Sequence, residues 1–203
     1  DGMVFEISNR VNQSKELDDF LKENPTLIGY NNHSYDDPMI VAASKGYTNR
    51  KLYNLSCKLI NMDDGKDKWD LMRKYKLKCN SIDLIRLLFS RKLRVGLKSL
   101  MVTLKWEKLQ DLPFKPDENI PEEMFETVLE YNLNDVVFTK YLTQQIKDQL
   151  NLRVGIENEY GLNVMSKDGV GTGVSLLLHL YANKTGKPER RIRDLRTNRD
   201  NLS

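Results

Sequence analysis

Apolar and polar positions alternate over residues 3–8 (Met-Val-Phe-Glu-Ile-Ser), the period-two pattern of a short strand. Ser14 stands where a helix N-cap belongs, ahead of Leu17, Phe20 and Leu21, and Asn24-Pro25 closes that helix. Residues 26–30 read as a buried strand, and 31–34 (Asn-Asn-His-Ser) carry turn chemistry. Asp37-Pro38 opens a helix ending near Gly46, since proline suits a first turn. A second amphipathic helix covers 52–60. The mostly charged stretch 62–78 predicts a loop or an irregular surface helix, and 80–85 a strand running into a helix through Phe89. Gly96 begins a helix ending near Trp106. Pro121, Glu122 and Glu123 begin a long helical region towards Leu150, the two acids suiting the positive end of its dipole. Residues 160–166 are turn-like, 170–181 helical, and 184–188 end that helix. Strands followed by helices in this order predict an α/β layer fold. A boundary near residue 152 divides a domain over 1–151 from a helical, basic extension over 152–203.

The chain has 203 residues, with 32 Lys+Arg against 29 Asp+Glu. That length predicts one domain, or one and a part. No run approaches the ~18 apolar residues of a membrane span, so no membrane partner is expected. The opening residues lack the basic and apolar regions of a secretory signal. Cys57 and Cys79 are too few for a disulfide scaffold or a four-ligand zinc site, and read as half-buried thiols in a reducing cytosol. A cytoplasmic location is the resulting expectation, that of the host cell if the source is viral.

The net charge of +3 says less than its distribution. Between 184 and 199 lie Lys184, Lys187, Arg190, Arg191, Arg193, Arg196 and Arg199, against only Glu189 and Asp194. Several of these can share one side of a helix and contact phosphates. The plainer reading is a solvated charged tail.

Two segments carry candidate chemistry. In the first, a strand ends, a polar turn comes next, and Asp36 and Asp37 sit at the start of a helix. Acids at the C-terminal edge of a strand lie where α/β sheets bind ligands. Read alone, the same acids are helix caps. In the second, Tyr131 and Asp135 stand one turn apart on a helix, so a phenol and a carboxylate face the same way. Alone, that pair is a surface hydrogen bond. His33 reads as a turn hydrogen bond beside the first segment, His179 as a packed helix residue, and Trp69 and Trp106 as packing residues.

Together the two segments resemble a known family. Gly29-Tyr-Asn-Asn-His-Ser-Tyr-Asp36, with Pro38 two residues on, is similar to the second exonuclease motif of family B DNA polymerases. Tyr131-x-x-x-Asp135 resembles the third motif of the DEDDy branch of the DnaQ-like 3′–5′ exonucleases. Between them, Ile82-Asp83-Leu84 and Leu97-Lys-Ser-Leu100 are similar to that superfamily's strand and following helix. The resemblance covers roughly 1–150. The remainder of the chain resembles the segment C-terminal to the exonuclease in some bacteriophage polymerase-like proteins.

The resemblance implies an RNase H-like mixed sheet with flanking helices and two-metal hydrolysis of the 3′ ends of single-stranded DNA. It further implies a polymerase domain on the same or a partner chain. The implied cofactors are two Mg²⁺ or Mn²⁺ ions ~4 Å apart, held by carboxylates. Asp36 and Asp135 take the place of metal ligands, and Tyr131 of the residue orienting the attacking water. Asn31, Asn32 and Tyr35 take places near the terminal nucleotides, Tyr35 by stacking. Arg190, Arg191, Arg193 and Arg196 are the expected phosphate contacts.

The family's first motif, Asp-x-Glu on the opening strand, has no counterpart here. Glu6 and Ser8 stand too close to Asp36 for the two strands and helix that must intervene. Residues 3–8 fit better as the third strand, with Glu6 an ordinary edge residue. The expectation is a chain that begins after the first strand. It lacks two of the family's four acids, and Ser34 stands where the family's turn has Asn.

Overall fold

A computed structural model describes residues 2–63, 65–89, 95–111 and 120–195. The chain divides into two compact units, Asp1–Leu84 and Ile85–Ser203.

The first unit is α/β. After a turn at residues 8–11 come α1 (Ser14–Lys22), β1 (Thr26–Gly29), a 3₁₀ turn (Asn32–Ser34), α2 (Asp36–Ser44), α3 (Asn49–Asn61), α4 (Lys66–Lys74) and β2 (Asn80–Asp83). β1 and β2 pair in parallel, Thr26 opposite Asn80 and Gly29 opposite Asp83. A parallel pair needs a long crossover, and α2, α3 and α4 supply it. Val41 and Ala42 of α2 and Leu55 and Leu59 of α3 meet Tyr75, Leu77 and Cys79, on the chain between α4 and β2, in the core, and Leu71 of α4 packs against it. Removing these side chains from water is the main term holding the unit together.

Several expectations are corrected in this unit. Residues 3–8 form no strand: a single antiparallel bridge joins Ile7 to Asn12. Glu6 is no sheet-edge residue, because it receives Arg10 Nε at 2.7 Å and the Ser8 hydroxyl, so local polar bonds close a turn instead. β1 is not buried: Ile28 keeps 39% of its surface, because the sheet has two strands among the described residues. Trp69, on α4, is 46% exposed and is not a core packing residue. Ser14 begins α1 rather than capping it, and Asn12 Oδ1 accepts both the Ser14 N–H and its hydroxyl.

The second unit is helical: α5 (Leu84–Leu88, sharing its first residue with the first unit), α6 (Leu97–Thr103), a 3₁₀ turn (Glu122–Met124), α7 (Phe125–Gln145), α8 (Lys147–Tyr160), α9 (Gly169–Thr185) and α10 (Glu189–Leu195). The expected single helix towards Leu150 breaks at Ile146 with no proline or glycine. Thr139 and Thr143 hydroxyls each donate to the carbonyl four residues back, a bond that bends helices. The boundary expected near residue 152 falls inside α8. Asp168 caps α9 through the Gly171 N–H, and Gly186, at φ +66°, ends it. Arg153 is fully buried, its guanidinium donating to the Gln149 and Lys167 carbonyls at 2.8 and 3.0 Å. No helix among the described residues is long and apolar enough to cross a membrane. The mixed α/β class is thereby observed, with helix predominating.

Candidate active site

The residues expected to act divide between the units, Asp36 in the first and Tyr131 and Asp135 in the second. In the first, the chain leaves β1 at Gly29. Asn31 takes the left-handed conformation (φ 61°), which asparagine tolerates better than most residues. That turn aims the Asn31 N–H at Asp83 Oδ1, 2.8 Å away, at the end of β2. Asp83 is fully buried.

Asn32 folds back under the turn. Its Nδ2 donates to Asp37 Oδ1 at 3.0 Å and to Ser81 Oγ at 2.8 Å. Ser81 Oγ in turn donates to Asp37 Oδ2 at 2.7 Å. Gly29 makes room for this arrangement, since a Cβ there would stand 2.6 Å from Asn32 Cβ. His33 Nε2 lies 3.0 Å from the Ser81 carbonyl oxygen. A carbonyl only accepts, so Nε2 carries the proton and Nδ1 faces Asp83 Oδ2 at 4.0 Å.

Asp36, Asp37 and Asp83 therefore gather at the C-terminal edge of the strand pair, where α/β sheets place ligands. Asp37 is buried and bonded within the fold, and neither acid caps α2 through its side chain. Asp36 keeps access to solvent. Its carboxyl is pushed up to about 6, first by desolvation among crowding protein atoms, then by repulsion from Asp37 and Asp83. Tyr30, next to the same charge, is pushed up to about 12 by burial and by Asp83.

In the second unit, Tyr131 and Asp135 lie on α7 and are both half-buried. Lys98, on α6, places Nζ 5.3 Å from the Tyr131 ring centroid and 2.6 Å from Asp111 Oδ1. Burial raises the Asp135 carboxyl above its ordinary range and Lys98 opposes that rise. Between them on α7, Asn134 accepts the Trp106 indole N–H at 3.0 Å and donates to the Lys108 carbonyl at 2.9 Å. Trp106 packs edge-on against Phe138. A recess of about 640 Å³ opens beside it, lined by Trp106, Leu133, Val137 and Tyr141 among others, but not by Tyr131 or Asp135.

Among the expected nucleotide contacts, the Asn31 side chain is exposed, whereas Asn32 is buried and its amide engages Asp37 and Ser81. Tyr35 bonds Ser56 through its hydroxyl at 2.8 Å and packs on the core, so its ring belongs to the scaffold. Arg190 and Arg191 are exposed on α10. The Arg193 side chain and all of Arg196 lie outside the described residues. Sequence reasoning missed Ser81, Asp83 and Lys98 as site residues. Asp83 had a signal, an acid ending a strand as Asp36 follows one; Ser81 had none. Among the described residues, no set of three or more His, Cys, Asp or Glu is arranged to hold a metal ion.

No protein-family model matches this chain, and neither a curated protein nor a solved structure matches it.

Proposed function

We propose that this chain is the 3′–5′ exonuclease part of a bacteriophage-type DNA polymerase, with an RNase H-like arrangement around its parallel strands. The observation that carries the reading is the gathering of Asp36, Asp37 and Asp83 where β1 and β2 end, with Asp36 open to solvent and its carboxyl lifted to about 6. Carboxylate oxygens are the hard ligands Mg²⁺ or Mn²⁺ take, and a cation at the solvent-open Asp36 would offset the repulsion from Asp37 and Asp83 that adds to desolvation in raising its carboxyl. Asp36 and Asp135 are each the proposed carboxylate ligand for a metal ion. Ions held there would supply activation of the attacking water and stabilisation of the leaving 3′ oxygen. Tyr131 orients the attacking water, the exposed Asn31 meets the 3′-terminal nucleotide, and Arg190 and Arg191 hold the backbone of the strand.

The test is shortening of a single-stranded oligonucleotide by the full chain with Mn²⁺, the label placed at its 5′ end so that the ladder reports direction. The expected result is stepwise loss from the 3′ end, abolished in both Asp36→Ala and Asp135→Ala. Shortening that persists in either variant overturns the reading.

A second reading is a catalytically inactive RNase H-like domain that holds nucleic acid or a partner protein. It is favoured by the use of Asp37 and Asp83, both bonded by donors inside the fold. It expects oligonucleotide binding in EDTA that survives both substitutions, with no shortening in Mn²⁺.

A further inference from the structure

The C-terminal end of α2 carries a second charged feature, unlike the acidic one at its start. Tyr47 and Tyr75 meet hydroxyl to hydroxyl at 3.3 Å, their rings edge to face with centroids 6.2 Å apart. Three lysines converge on this pair. Lys45 and Lys74 place Nζ 5.7 and 5.5 Å from the Tyr75 centroid, and Lys51 sits 5.6 Å from that of Tyr47. All three lysines are exposed. Among the described residues, none of them forms an ion pair. The first turn of α3, which begins beside them, holds Arg50 and Lys51 and no acid.

Each ring attracts a cation through its face, worth about 0.5–1 kcal/mol at an exposed site. That accounts for one lysine per ring but not for the uncompensated charge of the group. The Tyr47 phenol is held below its ordinary range, by the Tyr75 hydrogen bond first and then by Lys74, Lys45 and Lys51. Either hydroxyl can donate in this contact, and in the arrangement where Tyr75 does, the Tyr47 hydroxyl hydrogen turns outward.

We propose that Lys45, Lys51, Lys74 and the Tyr47 hydroxyl form a contact surface for the phosphodiester backbone of a single-stranded nucleic acid. A backbone phosphate supplies the missing negative charge and accepts from the phenol, as phosphate contacts by lysine and tyrosine do generally. The choice of a nucleic acid strand rests on the function proposed above; the charge argument does not use the carboxylates. Asp36 and Lys45 bracket α2, nine residues or ~14 Å apart at ~1.5 Å per residue. A strand with its end at Asp36 can therefore follow α2 to this surface.

The test is binding of a fluorescent single-stranded oligonucleotide to the full chain in EDTA, so that hydrolysis plays no part, across a salt series. The variant Lys45→Gln/Lys51→Gln/Lys74→Gln is compared with Lys15→Gln/Lys140→Gln/Lys147→Gln, which removes the same charge elsewhere. The expected result is a Kd raised on the order of tenfold, with the slope of log K against log salt shallower by about 2 in the first variant only. Tyr47→Phe, which keeps the ring, weakens binding with little change in slope, and decides the matter if the triple variant melts early. Equal losses in the two triple variants, no loss in the first, or an unmodified chain that does not bind the oligonucleotide overturns the proposal. So does inorganic phosphate shifting the Tyr47 and Tyr75 resonances while the oligonucleotide leaves them unmoved. Binding that needs these lysines without any shortening in Mn²⁺ sinks the exonuclease reading alone.

Discussion

Ser81 Oγ donates to Asp37 Oδ2 at 2.7 Å, so the second strand and the first turn of the helix after the first strand share one partly buried bond. Asn32 closes the triangle by donating to both. Removing the hydroxyl leaves a buried carboxylate oxygen short of a donor. Hydrogen bonds to charged groups contribute about 1.5–3 kcal/mol. Ser81→Ala is expected to lower stability by about 2 kcal/mol in urea unfolding, and Ser81→Thr to recover much of that loss.

Gly29 is required by the close approach of Asn32 rather than by its own backbone angles. In Gly29→Ala the new methyl group displaces the Asn32 side chain and so loosens its hold on Asp37. Overpacking of this kind costs about 1–3 kcal/mol. The amide resonances of Asn32 and Asp37 should shift strongly in a two-dimensional NMR spectrum, and unchanged positions would contradict this account of the glycine.

Asp36 titrates near 6 in the fold against an ordinary value of 3.8. Its folded form therefore holds a proton that the unfolded chain has released between those values. The folded state is favoured below the unfolded pKa, and that advantage is lost as pH rises through the folded one. Between pH 4 and 6 the unmodified chain should lose melting temperature relative to Asp36→Asn, which has no such proton to release. Parallel melting curves for the two proteins across that window would contradict the lifted carboxyl.

Lys98 opposes the burial that raises Asp135. Lys98→Met should push the Asp135 carboxyl higher still, seen in a carbon-13 titration of the side chain. The lost ion pair with Asp111 costs at most about 1 kcal/mol, because Asp111 is exposed and such pairs are weak. A shift in titration without a matching loss of stability separates an electrostatic role from a packing one.

Asn134 is buried and joins the Trp106 indole to the Lys108 carbonyl. Asn134→Leu strands both partners, at about 1–3 kcal/mol. Tryptophan emission should move to longer wavelength as Trp106 loosens from Phe138. Emission that stays fixed would show that ring packing alone holds the indole.

Much of the first unit was legible in the sequence because its signals are local. The turn at 31–34, the proline in the first turn of α2 and the apolar run of β1 each specify their element within a few residues. Residues 3–8 misled because alternation marks a strand only where a neighbour exists to pair with, and Glu6 bonds Arg10 and Ser8 instead. The break at Ile146 was invisible because threonine back-bonding leaves no mark in the periodicity. The site was half legible. Asp36 declared itself by its place after a strand, whereas Asn32 looked like a ligand contact because sequence alone does not tell which side of a turn a side chain takes. Ser81 gave no sign, since its role exists only through a partner forty-four residues away.

The pairing of Thr26 with Asn80 spans 54 positions of chain. Closing a loop of that length carries an entropic cost of about 3.5 kcal/mol beyond a constant, from (3/2)RT ln n. Two four-residue strands do not offset this by themselves, so the pairing depends on the apolar packing of α2, α3 and the chain that leads into β2. Asp83 joins Asp36 and Asp37 only when the two strands pair. A chain caught partway through folding thus carries Asp36 and Asp83 as two separate, ordinary aspartates. The approach of the two depends on the strand pairing, so the raised affinity of Asp36 for its proton, to which Asp83 contributes, reports that two distant parts of the chain have met.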